Sequence, residues 1–355
     1  MQQQLRCLIA AGGTAGHVLP ALAVADALTS RGVHVTFAGS PDRVEARLVP
    51  EAGYELDTFR ITGLPRRPSV ELARALMLAG SAPHACRRIL RNRRPDVVLG
   101  AGGFVAGPMV FAASTLGIPA ALTEADAHLG LANRLAAPFA KRLLLAYPLE
   151  TRWRRKSRVV GRPIPRSQPV TQAEAREIFE LPAVGPVLGV FGALAGAKAL
   201  NDFVAETWGR SGPQILHITG QRDFDAVRRV VQRDDYRVLA ETERFGAAIS
   251  AADLVLARSG STVWEIAAAG RPAIFVPYPF ATGDHQARNA EHFVRAGGAI
   301  MVRELDLADV PDLVRSLLDD PERLQKMSDA MVRAARPDAA AEIADELVAM
   351  AKPSE

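Results

Sequence analysis

Cysteine is scarce in this chain: Cys7 and Cys86 are the only two among 355 residues. A disulfide-bonded scaffold is therefore excluded, and no group of cysteines and histidines has the spacing of a zinc site. The first residues lack the basic segment, apolar core and cleavage site of an export signal, so we expect a protein that is not exported. The length suits two domains of ordinary size.

An uninterrupted apolar segment is also missing. The longest stretch without Asp, Glu, Lys, Arg or His covers 97–123, which is long enough to span a bilayer. Glycines and prolines break it, among them Gly100, Gly107, Pro108 and Pro119. This punctuation is typical of a strand, a loop, a helix and a second strand, so we expect the stretch to fold inside a domain.

The charge is distributed unevenly, although the formal net charge is only +4. Residues 1–166 carry 23 basic and 11 acidic side chains, which gives +12, whereas the rest carries 20 and 28, which gives −8. A basic first half suits an anionic partner such as a membrane surface, a nucleic acid or a phosphorylated substrate. Nucleic acid is disfavoured, because the basic clusters lack interleaved aromatic residues and a known binding module.

Basic residues flank one apolar helical segment between Pro65 and Arg94. Leu72, Leu76 and Met77 recur there at helical spacing, with arginines on both sides, and a second basic cluster covers 152–158. Buried apolar area together with attraction to anionic lipid would bind such a helix to a membrane surface. An ordinary core-facing helix with solvated arginines fits the same pattern, so both interpretations stay open at this point.

Apolar strand-like segments alternate with helical segments along the chain, which predicts an α/β protein with parallel sheets and crossover helices. The pattern stops near 162–170 and restarts at 187. We therefore expect an N-terminal domain over 1–162, with a C-terminal helix over 338–355 that packs back on it, and a second domain over 163–337. The predicted strands are 5–11, 33–38, 97–99, 119–122, 143–146, 187–191, 214–218, 236–240, 254–257, 273–276 and 300–302.

Two glycine-rich loops follow predicted strands of the first half, at 12–17 and 100–108. Glycine lets the backbone approach a ligand closely, and amides at a helix start favour an anion. The carboxyl ends of parallel strands lie at one edge of a sheet, where open α/β sheets bind ligands. Neither loop has the dinucleotide or P-loop motif, which disfavours a dehydrogenase.

Two further loops stand out in the second half. The loop at 258–265 follows a predicted strand, and its serines Ser259 and Ser261 suit a helix start that binds a diphosphate. The carboxylate of Glu265 suits hydrogen bonds from ribose hydroxyls, and it equally suits the positive end of the helix dipole. Asp223 and Asp225 match an Asp-x-Asp metal pattern, but acids in a first helical turn explain them as well, so we expect no metal site.

Taken together, these segments resemble the MurG family of peptidoglycan N-acetylglucosaminyltransferases. The resemblance covers nearly the whole chain and rests on the order and spacing of its motifs. These motifs are GGTAGH at 12–17 continuing to 25, PDVVLGAGGFVAGP at 95–108, RSGSTVWEIAAAG at 258–270 and HQARNA at 285–290.

The resemblance implies a GT-B fold, in which two Rossmann-like domains flank a cleft. It implies UDP-N-acetylglucosamine as donor, undecaprenyl-diphosphate-linked N-acetylmuramyl-pentapeptide (lipid I) as acceptor, inversion at the anomeric carbon, and no metal or cofactor. It also implies a peripheral location on the cytoplasmic side of the cell membrane, on an anionic lipid surface and among other cell-wall synthesis proteins. Under this resemblance the apolar helix after Pro65 is interpreted as the membrane contact.

The resemblance also implies roles for individual residues. Donor contacts are expected from Thr14, Ala15, Gly16, Asp126, Arg166, Thr242, Ser261, Thr262, Val263, Glu265 and Gln286. The acceptor diphosphate is expected on Gly13, Gly102, Gly103 and Gly107. His17 is the leading candidate for the catalytic base, because imidazole titrates near physiological pH and lies here in a ligand-facing loop. Glu124, also expected to be catalytic, and Asp126 are rival bases.

Three segments depart from the family pattern. Where the family has His-Glu-Gln-Asn, this chain has Thr-Glu-Ala-Asp at 123–126, so an asparagine becomes Asp126. Where the family has Gly-Gly-Ser-Gln-Gly-Ala, residue 194 is Leu194 in place of the serine. Where the family has Gly-Asn-Pro-Val-Arg, this chain has Gly-Arg-Pro-Ile-Pro-Arg at 161–166, so the donor arginine is displaced by one residue.

These departures leave other functions open. A glycosyltransferase with a different lipid or small-molecule acceptor would share the fold. A UDP-sugar epimerase or hydrolase would release UDP without a lipid acceptor. A non-catalytic membrane scaffold that binds a UDP-sugar would show no turnover.

Overall fold

The computed structural model describes residues 4–62, 70–165, 170–192 and 197–351, without the side chains of 70–77, 79 and 282. The chain divides into two compact units. The first unit comprises 1–166 and 337–355, and the second comprises 167–336.

A sheet of seven parallel strands forms the centre of the first unit, in the order β3-β2-β1-β4-β5-β6-β7. These strands are β1 (Arg6–Ala10), β2 (His34–Gly39), β3 (Glu55–Thr58), β4 (Val97–Gly100), β5 (Ala120–Glu124), β6 (Arg142–Leu145) and β7 (Ser157–Val159). The connecting helices are α1 (Ala15–Thr29), α2 (Glu45–Glu51), α3 (Val70–Arg93), α4 (Ala106–Thr115) and α5 (Leu131–Ala136). The segment at 97–123 thus forms strand, loop, helix and strand, as its punctuation predicts.

The sheet of the first unit is buried on both faces, as a parallel sheet with crossover helices requires. Along β1, Cys7 and Ile9 pack into one apolar cluster, while Leu8 and Ala10 pack into another on the opposite face. This alternation explains why the strand reads as a continuous apolar run in the sequence. The edge strands β3 and β7 were not predicted, because they are short, polar and only partly buried.

The second unit repeats the same arrangement with six parallel strands in the order β10-β9-β8-β11-β12-β13. They are β8 (Val187–Phe191), β9 (Gln214–Ile218), β10 (Tyr236–Leu239), β11 (Leu254–Ala257), β12 (Ala273–Phe275) and β13 (Ala299–Met301). The helices are α6 (Gln172–Ile178), α7 (Lys198–Trp208), α8 (Phe224–Val230), α9 (Phe245–Ala251), α10 (Val263–Ala268), α11 (His285–Arg295), α12 (Val310–Leu318) and α13 (Pro321–Ala334). All predicted strands are present, with ends within two residues of those expected.

The last helix, α14 (Ala339–Ala351), packs on the first unit. Ile343 and Leu347 are fully buried in the same apolar cluster as α1. On the polar side of the helix, Asp345 accepts a hydrogen bond from Arg31 at 2.8 Å, and Glu346 pairs with Arg158. Burying two large aliphatic side chains contributes roughly 3–6 kcal/mol, which dominates the exposed ion pairs.

Both sheets have the strand order of a nucleotide-binding fold, with a switch point where the order of the strands reverses. In the first unit this point lies between β1 and β4, which pair directly. In the second unit it lies between β8 and β11. Ligands of open α/β sheets bind beyond the carboxyl ends of the strands at such points. Within the described ranges, no helix is both long and apolar enough to cross a membrane.

Candidate functional site

Two glycine loops meet at the switch point of the first unit. Gly102 and Gly103 follow β4 with φ angles of 103° and 74°, which side chains rarely adopt. A side chain at Gly103 would overlap the carbonyl of Gly12, and one at Gly102 would overlap the ring of His17. The close contact between the loops therefore depends on the missing side chains, and it brings together three residue positions singled out from the sequence.

The fully buried carboxylate of Glu45 holds the first loop from behind. Its Oε2 accepts from the Gly13 amide at 3.0 Å, and its Oε1 accepts from the Ser40 amide at 2.9 Å. Charge-assisted bonds of this kind are about twice as strong as neutral ones. Because the Gly13 amide is engaged by Glu45, an anion on this loop would have to use other amides. The role of Gly13 toward the acceptor diphosphate stays a prediction.

His17 lies in the first turn of α1, and its Nδ1 is 3.2 Å from Thr14 Oγ1. Burial lowers the pKa of His17, and the positive charge of Arg162 lowers it further. The negative charges of Asp126 and Glu45 and a bond to the Gly12 backbone act in the opposite direction without cancelling that effect. A lowered pKa keeps the imidazole neutral at physiological pH, which is the state that accepts a proton.

Glu124 ends β5 as a buried carboxylate with several donors. It accepts from the amides of Asp126 at 3.2 Å and Gly130 at 2.9 Å, and from Asn133 Nδ2 at 2.9 Å. Burial raises the pKa of Glu124, while these hydrogen bonds oppose the rise. Glu124 thereby orders the loop after β5, the same loop that carries Asp126. This bonding favours His17 over Glu124 as a base.

A small cavity lies beneath the first turn of α1. Gly16, Thr123, Glu124, Ala125 and Arg162 line it together with apolar residues, including Ile343 of α14. Arg162 is only 7% exposed, and its Nη2 donates to the carbonyl of Gly16 at 2.6 Å. A guanidinium therefore lies directly behind the turn that carries His17.

The remaining predicted positions of the first unit lie at the same edge of the sheet. Thr14 is the N-cap of α1, and Ala15 and Gly16 form its first turn, where amides have no acceptor within the helix. Gly107 is the second residue of α4, and a Cβ atom there would lie 4.0 Å from the Cβ of Ala136. The structure therefore places Thr14, Ala15 and Gly16 at the start of α1 and Gly107 at the start of α4, each directly after one of the glycine loops.

In the second unit, Arg258 fixes the turn that follows β11. This buried guanidinium donates to the carbonyls of Val276 at 3.2 Å and Pro277 at 3.3 Å, and it pairs with Glu304. It thereby ties the end of β11 to the end of β12. The turn at 259–262 then leads into α10, so Ser261, Thr262, Val263 and Glu265 lie at the carboxyl edge of the sheet.

The start of α11 packs against this turn. Asn289 Nδ2 donates to the carbonyl of Ser259 at 3.3 Å, and a side chain at Gly260 would lie 3.9 Å from Gln286 Nε2. Gln286 Oε1 in turn accepts from the Tyr278 amide at 2.9 Å. The structure thus brings Gln286 together with the Ser261 turn, two features that are separate in the sequence.

Thr242 follows β10, which is separated from β11 by two strands. At the usual strand spacing the two strands are about 14 Å apart. The Oγ1 of Thr242 accepts from the Arg244 amide at 3.1 Å. Thr242 therefore shares the edge of the sheet with the Ser261 turn without contacting it in any described bond.

The Asp-x-Asp pattern has a structural explanation. Asp223 is the N-cap of α8 and accepts from Arg222 at 2.8 Å and from Asn201 at 3.0 Å. Hydrogen bonding to Arg222 lowers the pKa of Asp223. Asn201 also bonds His217, which is fully buried, and burial lowers the pKa of that histidine to about 3. Asp223 belongs to this neutral-histidine network.

Several predicted positions lie outside the described residues. They are Arg166, Leu194 with its neighbours at 193–196, and the Pro65-Arg66-Arg67-Pro68 segment; the side chains of Leu72, Leu76 and Met77 are likewise not described. The sequence did not predict two features of the site: the bonds of Glu45 and the contact of Arg162 with Gly16. A single sequence carries no sign that a glutamate 32 residues after Gly13 bonds its amide.

Comparison with known proteins matches both halves of the chain. The glycosyltransferase family 28 N-terminal domain matches residues 7–145, and the glycosyltransferase family 28 C-terminal domain matches residues 187–343.

The chain is also similar to curated proteins and to a solved structure. It is 42% identical to the UDP-N-acetylglucosamine–N-acetylmuramyl-(pentapeptide) pyrophosphoryl-undecaprenol N-acetylglucosamine transferase of Acidithiobacillus ferrooxidans, over 95% of each chain. It is 39% identical to the protein of the same name from Methylococcus capsulatus, over 96% of this chain and 97% of that one. The crystal structure of Acinetobacter baumannii MurG superposes with a TM-score of 0.78, at 28% identity, over 97% of this chain and 99% of that one.

The bonds of Glu45 predict a stability effect. In Glu45→Gln only one acceptor oxygen remains for the amides of Gly13 and Ser40, so one buried donor loses its partner. We expect the free energy of unfolding to fall by about 1–3 kcal/mol, measured by urea denaturation, with faster hydrogen exchange at Gly13. The control is Glu51→Gln on the same helix, whose exposed pair with Arg47 is worth about 0.3–0.5 kcal/mol. Equal effects of the two variants would refute the role of Glu45.

Proposed function

This chain belongs to the MurG family within glycosyltransferase family 28, and we propose from that premise how its residues divide the work of the reaction. The protein is a UDP-sugar-dependent N-acetylglucosaminyltransferase. It transfers N-acetylglucosamine from UDP-N-acetylglucosamine to lipid I and so forms lipid II in peptidoglycan synthesis. The prediction from the sequence motifs is thereby confirmed in fold, family and reaction.

The observation that carries the assignment of roles is the position of the family's motifs at both switch points. The loops at 12–17 and 101–105 meet beyond β1 and β4, and the turn at 259–262 meets Gln286 beyond β11. Each unit therefore presents backbone amides and polar side chains where an open α/β sheet binds its ligand. Phosphate-bearing substrates on both sides of the reaction suit such amide-rich loops.

The donor roles follow from the second unit. We assign the UDP diphosphate to the amides of Ser261, Thr262 and Val263, whose turn Arg258 and Asn289 hold in place. Glu265 lies one turn further, where its carboxylate suits ribose hydroxyls. Gln286 contacts the sugar from the start of α11. Thr242, farther along the same edge, suits the base end of the nucleotide.

The acceptor roles follow from the first unit. The acceptor diphosphate lies on the amides around Gly102 and Gly103, with Gly13 and Gly107 as predicted neighbours. The acceptor hydroxyl attacks the anomeric carbon, the bond to UDP breaks, and UDP leaves with the bonding electrons. His17 takes the proton of the hydroxyl, since its lowered pKa keeps it neutral. Thr14, Ala15 and Gly16, together with Asp126 and Arg166, complete the predicted donor contacts.

The reaction itself is tested by following radiolabelled sugar from UDP-N-acetylglucosamine, with and without a lipid I analogue. We expect label in the lipid product only when the analogue is present, and UDP release in step with it. UDP release without the analogue would instead indicate a hydrolase or epimerase. Tight UDP binding with no transfer would indicate a non-catalytic binding protein.

The base assignment predicts a large effect on turnover. We expect His17→Gln to lower kcat by about 100- to 10,000-fold, the usual contribution of a general base, with little change in the KM for UDP-N-acetylglucosamine. The control is His34→Gln, which replaces an exposed histidine at the start of β2. If His17→Gln keeps most of its turnover, Glu124 or Asp126 takes the role instead.

A lipid-linked acceptor requires contact with a membrane, and we place that contact on α5 and the turn after it. Leu131 and Leu135 are each 64% exposed, and Phe139 is 42% exposed. These residues recur every four positions and form an apolar surface, which we call the α5 stripe. Phe139 also packs edge-on against Phe111 of α4, with ring centres 4.8 Å apart. Large exposed apolar side chains in a row favour a binding surface.

Basic residues adjoin the α5 stripe. Lys156 donates to the carbonyls of Ala137 and Ala140, which places the 152–158 cluster against the turn that holds Phe139. Arg152, Arg154 and Arg155 of this cluster are exposed. Each basic side chain near an anionic surface is worth about 1 kcal/mol. These observations support an anionic lipid surface as partner and a peripheral location on the cytoplasmic side of the cell membrane.

The earlier cluster at 87–94 contributes less charge than its sequence suggests. Arg93 pairs with Glu55 at 2.5 Å and with Asp57 at 2.6 Å, and Arg87 donates to Thr115. Arg88 and Arg91 stay exposed. The predicted membrane helix after Pro65 stays a prediction, as does contact with other cell-wall synthesis proteins.

The α5 stripe predicts a loss of vesicle binding. We expect Leu131→Ser combined with Leu135→Ser to weaken cosedimentation with phosphatidylglycerol vesicles about tenfold or more, because apolar area is removed from the contact. Unfolding by urea should not change, since both side chains are exposed. The control is Leu305→Ser, at a residue that is 96% exposed in the second unit. Unchanged binding of the double variant would remove the α5 stripe from the membrane contact.

A further inference from the structure

A groove follows the free edge of the sheet in the second unit. The strand at that edge is β10, and in the described part of the chain β9 is its one neighbour within the sheet. A cavity of about 330 Å³ lies along it. All four residues of β10, the residues just before it, the end of α6 and one residue of α8 line this cavity. The groove is separate from the residues assigned to the transfer reaction.

The backbone of β10 turns hydrogen-bonding groups into this groove. β10 runs parallel to β9, and the amide of Ile215 in β9 donates to the carbonyl of Asp235 at 3.0 Å. Because the bonds between two strands use alternate residues, the amides and carbonyls of Tyr236 and Val238 point away from β9. No described residue bonds to these groups. The edge therefore offers two donors and two acceptors to an added strand.

Side chains fix β10 in place before any partner binds. Tyr236 is only 2% exposed, and its hydroxyl lies 2.8 Å from Nδ1 of the buried His217. Just before the strand, the guanidinium of Arg233 donates to the carbonyl of Pro213 at 2.8 Å and pairs with Asp235 at 2.7 Å. A strand that is held in this way loses little entropy when another segment pairs with it.

Opposite walls of the groove come from opposite faces of the sheet. Because side chains alternate along a strand, Tyr236 and Val238 share one face, where they pack in the same apolar cluster as Val227 of α8. Arg237 lies on the other face, where it donates to the carbonyl of Glu180 at 3.3 Å, just after α6. An added strand would therefore direct alternate side chains toward α8 and toward the end of α6.

The two walls differ in chemistry. On the α8 wall, Arg228 is exposed, and no other described residue bonds to its guanidinium. On the α6 wall lie the half-buried side chains of Ile178 and Phe179, while Arg237 is paired with Glu180. An acidic side chain suits the first wall, and an apolar side chain suits the second.

The balance of charge in the groove also favours an acidic partner. Three arginines and two carboxylates line it. This local excess of positive charge lies in the part of the chain after residue 166, which carries 20 basic and 28 acidic side chains. The lining thus has the opposite sign to the half of the chain that contains it.

We propose that the free edge of β10 is a docking site for an extended segment of a partner protein, which adds a strand there and places acidic side chains toward Arg228 and apolar side chains toward Ile178 and Phe179. In recognition of this kind, main-chain bonds provide affinity and alternate side chains provide specificity. β10 is short and carries Arg237, and such features keep arbitrary chains from pairing with an edge. A partner segment must therefore match the groove.

The first experiment uses a capped pentapeptide of alternating glutamate and valine, added to the full-length chain. We expect NMR-detected hydrogen exchange to slow at the amides of Tyr236 and Val238, because they gain acceptors from the added strand. The same peptide with methylated amides should lose binding, since it cannot donate to the edge carbonyls. A pentapeptide of alternating lysine and valine should not bind, because like charges would meet at Arg228.

A matched pair of variants tests the charge. Arg228→Glu should weaken binding of the glutamate–valine peptide about tenfold or more, because repulsion replaces a charge-assisted contact. The control is Arg229→Glu, the next residue of the same helix, which is also exposed and does not line the groove. Transfer of N-acetylglucosamine should be unchanged in both variants, so the docking site and the proposed function succeed or fail separately.

Several results would overturn the proposal. They are no binding of the glutamate–valine peptide, equal binding of its methylated form, unchanged exchange at Tyr236 and Val238 in the complex, and equal losses in the two variants. Free glutamate that binds as tightly as the peptide would show a simple anion site instead. Sedimentation that reveals a dimer, broken by Arg228→Glu without any peptide, would make the edge a contact between copies of this chain. If Arg228→Glu fails to fold, the methylated peptide decides, because it needs no altered protein.

Discussion

The close contact between two glycine loops determines the geometry of the site in the first unit. The segment after β4 touches the Gly12 carbonyl and the His17 ring only because residues 102 and 103 are glycines with positive φ. A side chain at position 103 would separate the loops, and one at position 102 would displace the His17 ring. The contact of the His17 ring with the second loop depends on this approach.

Each unit then uses a buried charged side chain to hold its ligand loop. In the first unit the carboxylate of Glu45 accepts from loop amides, and in the second the guanidinium of Arg258 donates to strand-end carbonyls. The sign of the buried charge matters for anion binding. Glu45 occupies the Gly13 amide and adds negative charge, whereas Arg258 binds carbonyls and occupies no amide of the following turn. The second unit therefore suits a diphosphate more directly than the first.

Sequence reasoning was accurate where local pattern determines structure. Buried strands such as β1 and β8 consist of apolar runs, and each glycine loop was placed correctly after its strand. The strands β3 and β7 escaped because edge strands bury little and carry polar residues. The role of Glu45 was missed for another reason: its bond to Gly13 joins two elements that only the strand order of the folded sheet brings together. The family resemblance supplied the reaction, which no local pattern states.

Two of the departures from the family pattern, Asp126 and Arg162, lie in the first unit. Taken singly, Asp126 puts a carboxylate where an anionic donor is expected, and Arg162 buries a guanidinium, so each alone suggests impairment. An uncompensated buried charge would cost about 3–5 kcal/mol, but the guanidinium of Arg162 donates to the Gly16 carbonyl. Since the chain retains His17, the bonded Glu124 and both glycine loops, its first unit is better described as an ordered site than as a degraded one.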